Sequence, residues 1–107
     1  MAFEIILAPE AVGDLRRVSA HDRAKVRDAM EIHLRHEPTK VNKSCIKRLR
    51  GLSRPRYRLR VDELRVFYDV AGEEVQVLAI VAKSDADAWL AETGQPDEKS
   101  PSLGSEG

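Results

Sequence analysis

Polar and apolar residues alternate most regularly over Arg54-Pro-Arg-Tyr-Arg-Leu-Arg-Val-Asp-Glu-Leu-Arg-Val-Phe-Tyr-Asp69. A period of two marks a strand with one buried and one open face, and Asp62-Glu63 interrupts it where a two-residue hairpin turn belongs. With that loop Val61 faces Leu64, Arg60 faces Arg65, Leu59 faces Val66, Arg58 faces Phe67 and Tyr57 faces Tyr68. Tyr57, Leu59, Val61, Leu64, Val66 and Tyr68 then share the core side. Arg56, Arg58, Arg60, Arg65 and Phe67 share an open, cationic side.

Upstream, the apolar run Phe3-Glu-Ile-Ile-Leu-Ala8 predicts a first strand, and Pro9 ends it in a residue suited to the first turn of a helix. Val12, Leu15 and Val18 give a short helix over 10–18 one buried stripe, which Gly13 weakens. Ser19-Ala-His-Asp22 is a capping signal for a second helix. It runs to about His36, with Val26, Ala29, Met30, His33 and Leu34 on its apolar side, and Pro38 stops it. The short connection makes the two an antiparallel hairpin.

Thr39 to Arg54 reads as a basic connection anchored by Ile46, Leu49 and Leu52. After the arginine hairpin, Ala71-Gly-Glu73 makes a second turn, and Val75-Gln-Val-Leu-Ala-Ile-Val-Ala82 is apolar on both sides, as a central strand covered by helix would be. Lys83 closes that strand, and Ser84 caps a short terminal helix reaching Glu92. The pattern predicts an α+β fold of order β-α-α-β-β-β-α, a first strand and two-helix hairpin packed on an antiparallel sheet, occupying 1–93 as a single domain. From Gly94 no apolar pattern remains, so 94–107 is expected to be a disordered polar tail.

Composition narrows the class without changing this picture. A chain of 107 residues that is 42% apolar and 34% charged supports one hydrophobic core. No apolar run reaches the length of a membrane span, and the amino terminus lacks the basic and long apolar regions of a secretory signal, so a cytoplasmic location is expected. Cys45 is the one cysteine, which excludes an intramolecular disulfide and a Cys-based zinc site; it reads as an incidental thiol. His21, His33 and His36 match no metal-binding spacing and read as helix residues. Neither a metal nor a cofactor is expected.

Charge changes the picture more. The net charge is zero, yet Lys40 to Arg65 holds ten basic residues against two acidic ones, leaving eight against sixteen in the rest of the chain. Lys47, Arg48, Arg50, Arg54 and Arg56 lead into the hairpin arginines. So concentrated a patch is the footprint of a polyanion partner, either nucleic acid or an acidic protein. The directly opposed Arg60 and Arg65 are a local cost that folding alone does not explain, and an anion among Arg58, Arg60 and Arg65 does. The competing reading is that these long side chains splay into water and pair with nearby acids such as Asp69.

The pieces Leu49-Arg-Gly-Leu52, Tyr57-Arg-Leu-Arg-Val61 and Leu64-Arg-Val-Phe-Tyr68, in this order, carry a family resemblance. Over about residues 3 to 92 the chain resembles the RelE/ParE superfamily of type II toxin–antitoxin toxins. The resemblance implies a RelE-like inhibitor of translation, a metal-independent, ribosome-dependent mRNA endoribonuclease in which the ribose 2′-hydroxyl attacks the adjacent phosphate. It places Arg58, Arg60, Arg65 and Lys83 as the catalytic cations that hold and polarise that phosphate, with Lys47, Arg48, Arg50, Arg54 and Arg56 binding RNA around them. Replacing Arg65 by Ala is then expected to abolish function without removing core volume.

The resemblance also implies partners: mRNA on the ribosome, and a cognate antitoxin of Phd, RelB or ParD type. Two departures stand out. The glycine frequent at the family's hairpin tip is replaced by Asp62-Glu63, and Trp89 stands where active members carry Tyr or a His-Tyr pair. Trp89 reads as core, with base stacking as the alternative. Arginines are poor proton carriers, so Lys83 and, after it, Glu63 remain as candidates for acid–base work. The missing Tyr or His keeps open a ParE-like inhibitor of DNA gyrase, and beyond it a non-catalytic basic interaction module.

Overall fold

The computed structural model describes residues 2–96. The chain begins with β1 (Glu4–Leu7), α1 (Pro9–Arg17) and α2 (Ala20–Leu34). It continues through β2 (Ile46–Arg48), β3 (Leu52–Arg54), β4 (Tyr57–Val61), β5 (Leu64–Ala71) and β6 (Glu74–Ala82), and ends with a 3₁₀ turn (Lys83–Asp85), α3 (Ala86–Thr93) and β7 (Gln95–Pro96). Pro9 opens α1, and the Ser19 hydroxyl accepts from the Asp22 amide to cap α2, as the sequence requires.

The main sheet has the order β1-β6-β5-β4-β2, so β6 is flanked on both edges and both of its faces are apolar. The β4–β5 register is the expected one at every pair from Val61–Leu64 to Tyr57–Tyr68. Asp62 supplies the positive φ of 52° that the absent glycine would have given. It also pairs with Lys25 of α2, which ties the hairpin tip to the helical layer. β1 lies parallel to β6, so the sheet is mixed rather than wholly antiparallel.

One face of this sheet meets α1 and α2. Ile46, Leu59, Val61, Val66, Tyr68, Val75, Val77 and Ile80 pack there with Ala11, Leu15, Val26, Met30 and Leu34. Tyr68 also donates from its hydroxyl to the Pro38 carbonyl at 2.6 Å, where burial raises its pKa well above the ordinary phenol value. Val66 and Tyr68 are two residues apart but pair with Ile80 and Val77, which are three apart. The extra residue, Leu78, is a bulge that keeps both Val77 and Ile80 in the core.

Two expectations change. The basic connection is not irregular throughout: β2 joins the edge of β4, and β3 pairs with β7. Gln95–Pro96 therefore lies in a strand although it falls within the expected tail; residues 97–107 lie outside the described residues. Gly94 makes this return possible. Its amide donates to the Leu90 carbonyl at 2.8 Å, and a Cβ on Gly94 would lie 2.6 Å from that oxygen.

Candidate functional site

The second face of the sheet carries the arginines. Lys47 pairs with Arg58 across β2–β4, Arg58 with Phe67 across β4–β5, and Arg60 with Arg65 one step nearer the hairpin tip. This face was expected to be open, and it is not. α3 lies over it: Trp89 stacks on Phe67 with ring centroids 4.9 Å apart and planes 5° from parallel. Phe67 is fully buried and Arg65 is only 6% exposed. A fully buried aromatic within a cationic row needs such a cover.

Between sheet and α3 remains a cavity of about 290 Å³. Lys47, Arg58, Arg65, Lys83 and Asp87 supply its polar walls, and Leu49, Phe67 and Leu90 its apolar ones. Lys83 is brought in because its amide donates to the Glu63 carbonyl at 2.7 Å, fixing the end of β6 to the hairpin tip. Arg60 sits beside this group in register but is exposed and does not line the cavity.

The cations are held differently. Arg65 donates from one guanidinium nitrogen to the Asp62 and Leu64 carbonyls, both at 2.8 Å, so carbonyl dipoles of its own turn orient it. Removing it would cost those bonds and buried volume, contrary to the expectation that Arg65→Ala leaves the fold untouched. Arg58 is half-buried, and its Nε is buried without a hydrogen-bond partner. Burial, and then repulsion from Arg65 and Arg60, pulls the Arg58 guanidinium below its ordinary pKa. Arginine nevertheless stays protonated at neutral pH, so Arg58 keeps a positive charge in the cavity wall.

The flanking basic residues divide. Lys47, Arg48 and Arg50 line an adjoining groove of about 650 Å³ with Val41, Leu49 and Leu52. The guanidinium of Arg48 stands 5.8 Å over the Tyr57 ring. Arg54 and Arg56 line neither of these, and the Arg56 Nε donates to the Ser53 carbonyl at 3.3 Å. The Asp69 carboxylate accepts from the Arg56 amide at 2.6 Å and from Arg54 at 3.5 Å.

Trp89 is fixed by its stack on Phe67 and by an Nε1–H bond to Glu10 at 2.9 Å, a packing role. Glu63 lines a neighbouring recess with Lys83, Ser84 and Asp87. Asp87 was not singled out from the sequence; its spacing of four from Lys83 was the available signal. Among the described residues no three His, Cys, Asp or Glu side chains are grouped to hold a metal ion. None of the described helices is long and apolar enough to cross a membrane.

No protein-family model matches the sequence, and no curated protein matches it significantly. Solved structures do match. The archaeal RelE–RelB complex from Pyrococcus horikoshii superposes with a TM-score of 0.64 at 21% identity, over 78% of this chain and 97% of that one. This chain has the RelE fold. The RelBE2 toxin–antitoxin complex from Mycobacterium tuberculosis gives 0.61 at 20% identity, over 77% and 99%. A double mutant of the E. coli toxin RelE in the free state gives 0.53 at 16% identity, over 83% and 92%. Within this RelE fold, the cationic cavity lies between the β4–β5 hairpin, the end of β6 and α3.

Proposed function

We propose that the protein is the toxin of a type II toxin–antitoxin pair and a RelE-type endoribonuclease acting on mRNA in the ribosome. The observation that carries this reading is the convergence of Lys47, Arg58, Arg65 and Lys83 on one cavity, with the buried Arg58 Nε unmatched. Attack of a 2′-hydroxyl on its neighbouring phosphodiester builds negative charge on the phosphorus oxygens. Fixed cations in a partly desolvated recess stabilise that charge more than the ground state. The groove of Lys47, Arg48 and Arg50 beside the cavity suits the flanking RNA backbone, because phosphate contacts position a strand without reading its sequence.

The likeness to RelE–RelB complexes supports an antitoxin as the physiological partner. Tightly controlled expression with measurement of translation and of transcript ends tests the function. Arrested growth with new transcript ends is expected, and lost on Arg58→Ala. Normal growth with intact transcripts at high expression would overturn it, and inhibition of gyrase supercoiling without RNA cleavage would move the protein to a ParE-like role.

A further inference from the structure

We infer that Asp87 is the proton acceptor of this reaction, taking the proton of the attacking 2′-hydroxyl; the inference rests on the ribonuclease reading above. The reaction needs a group that gains a proton as the oxygen becomes a nucleophile. The cavity's other polar walls are Lys47, Arg58, Arg65 and Lys83, all of which begin as cations. Tyrosine, cysteine and histidine side chains, which can also carry a proton, all lie away from the cavity. Tyr68 belongs to the opposite face and its hydroxyl is committed to Pro38; Tyr57 stacks on Tyr68; and neither Cys45 nor any of the three histidines lines the cavity. Among the described residues, Asp87 is the one carboxylate in the cavity wall.

Its surroundings fit that task better than a structural one. Asp87 is exposed on the first turn of α3, and among the described residues its carboxylate makes no hydrogen bond and no ion pair. It lines both the cationic cavity and the recess it shares with Glu63, Lys83 and Ser84, so it stands where the two meet. It therefore shares one cavity with the cations that would hold the phosphate.

The step balances without an added reagent. Asp87 takes the 2′-hydroxyl proton, the 2′ oxygen forms a bond to phosphorus, and the bond from phosphorus to the 5′ oxygen breaks. The leaving 5′ oxygen takes a proton from the Lys83 ammonium. The products are a 2′,3′-cyclic phosphate and a 5′-hydroxyl end, and exchange with water restores both side chains.

The test compares the full chain with D87N and D87E. Single-turnover cleavage is followed on ribosome-bound mRNA, and affinity on a single-stranded RNA carrying 2′-deoxyribose at the cut site. A general base contributes about 10²–10⁴-fold, so D87N is expected to cleave at least about 100-fold more slowly. It should also bind the deoxy-substituted RNA more tightly, since a negative charge leaves a cationic cavity. D87E should regain part of the rate. D87N cleaving within a few-fold of the unsubstituted protein, or losing rate only in step with affinity, would overturn the role of Asp87 while the ribonuclease reading stands. An unsubstituted protein that cleaves no RNA would overturn both.

Discussion

Replacing Arg58 by Met separates what the site costs the fold from what it offers a ligand. The Arg58 Nε is buried and unpartnered, and Arg65 and Arg60 act on the guanidinium as like charges. An unsatisfied buried donor costs about 1–3 kcal/mol. The rest of the guanidinium reaches water through the open cavity, which screens the repulsion, so the lower end of that range applies. Methionine keeps an unbranched, adaptable stem and removes both the donor and the charge. R58M should therefore stabilise the fold by about 1 kcal/mol, which for a domain of this size raises the thermal midpoint by about 4–8 °C. Under the proposed function the same change would remove a charge-assisted hydrogen bond to phosphate, worth about 1.5–3 kcal/mol, or about 10- to 100-fold in affinity. It also lowers the slope of log affinity against log salt by about 0.7 for single-stranded RNA. Thermal unfolding and a salt-dependent RNA titration on the same preparation check both halves. A lower midpoint than the unsubstituted protein, or an unchanged salt slope, would refute the reasoning.

Three further outcomes follow from the structure. Burial raises the Asp69 pKa above its ordinary 3.8, against the pull of the Arg56 amide and the Arg54 and Arg56 charges. The folded chain thus binds more protons than the unfolded one between those two values, so stability falls as pH rises through that window. Asp69→Asn should flatten the slope of the denaturation midpoint there while still accepting from the Arg56 amide, and an unchanged slope contradicts this. Ser19→Ala removes the cap bond to Asp22 and should lower stability by about 1 kcal/mol in chemical denaturation. Gly94→Ala forces a Cβ to within 2.6 Å of the Leu90 carbonyl. It should cost about 1–3 kcal/mol and raise amide exchange at Gln95, since it breaks the turn that returns the chain to β3.

The arginine hairpin was legible because two independent signals agreed: strict alternation set the faces, and the two-residue interruption set the register. The same reading supplied α1 and α2 through their proline, cap and stripe positions, whereas Ser84 does not cap α3, because a 3₁₀ turn over Lys83–Asp85 comes before it. What it missed depends on contacts distant in sequence. β2 and β3 are three residues each, too short for periodicity to declare, and exist because β4 and β7 offer them edges. The Leu78 bulge shows in the sequence only as a strand that fails to alternate. The cover over the arginine face had one trace, Phe67 standing where another arginine would have kept that face open. Asp87 had less, because a carboxylate in the first turn of a helix is ordinarily explained by the helix dipole.

What marks the site is that cations without a carboxylate partner share one cavity wall. Five basic side chains elsewhere in the fold meet carboxylates: Arg17 with Asp14, Lys25 with Asp62, Arg35 with Glu31, Lys40 with Glu37 and Arg54 with Asp69. Around the cavity, among the described residues, Lys47, Arg58, Arg65 and Lys83 have no such pair. Arg65 is held by carbonyl dipoles, which orient a guanidinium without cancelling its charge. Pairing these cations internally would make the fold more stable and leave no charge for a ligand. Under the proposed function, leaving them unpaired reserves their charge for a phosphate of the substrate. A phosphate bound there would relieve the like-charge repulsion that Arg65 and Arg60 exert on Arg58 in the folded state, and this relief would add to its affinity.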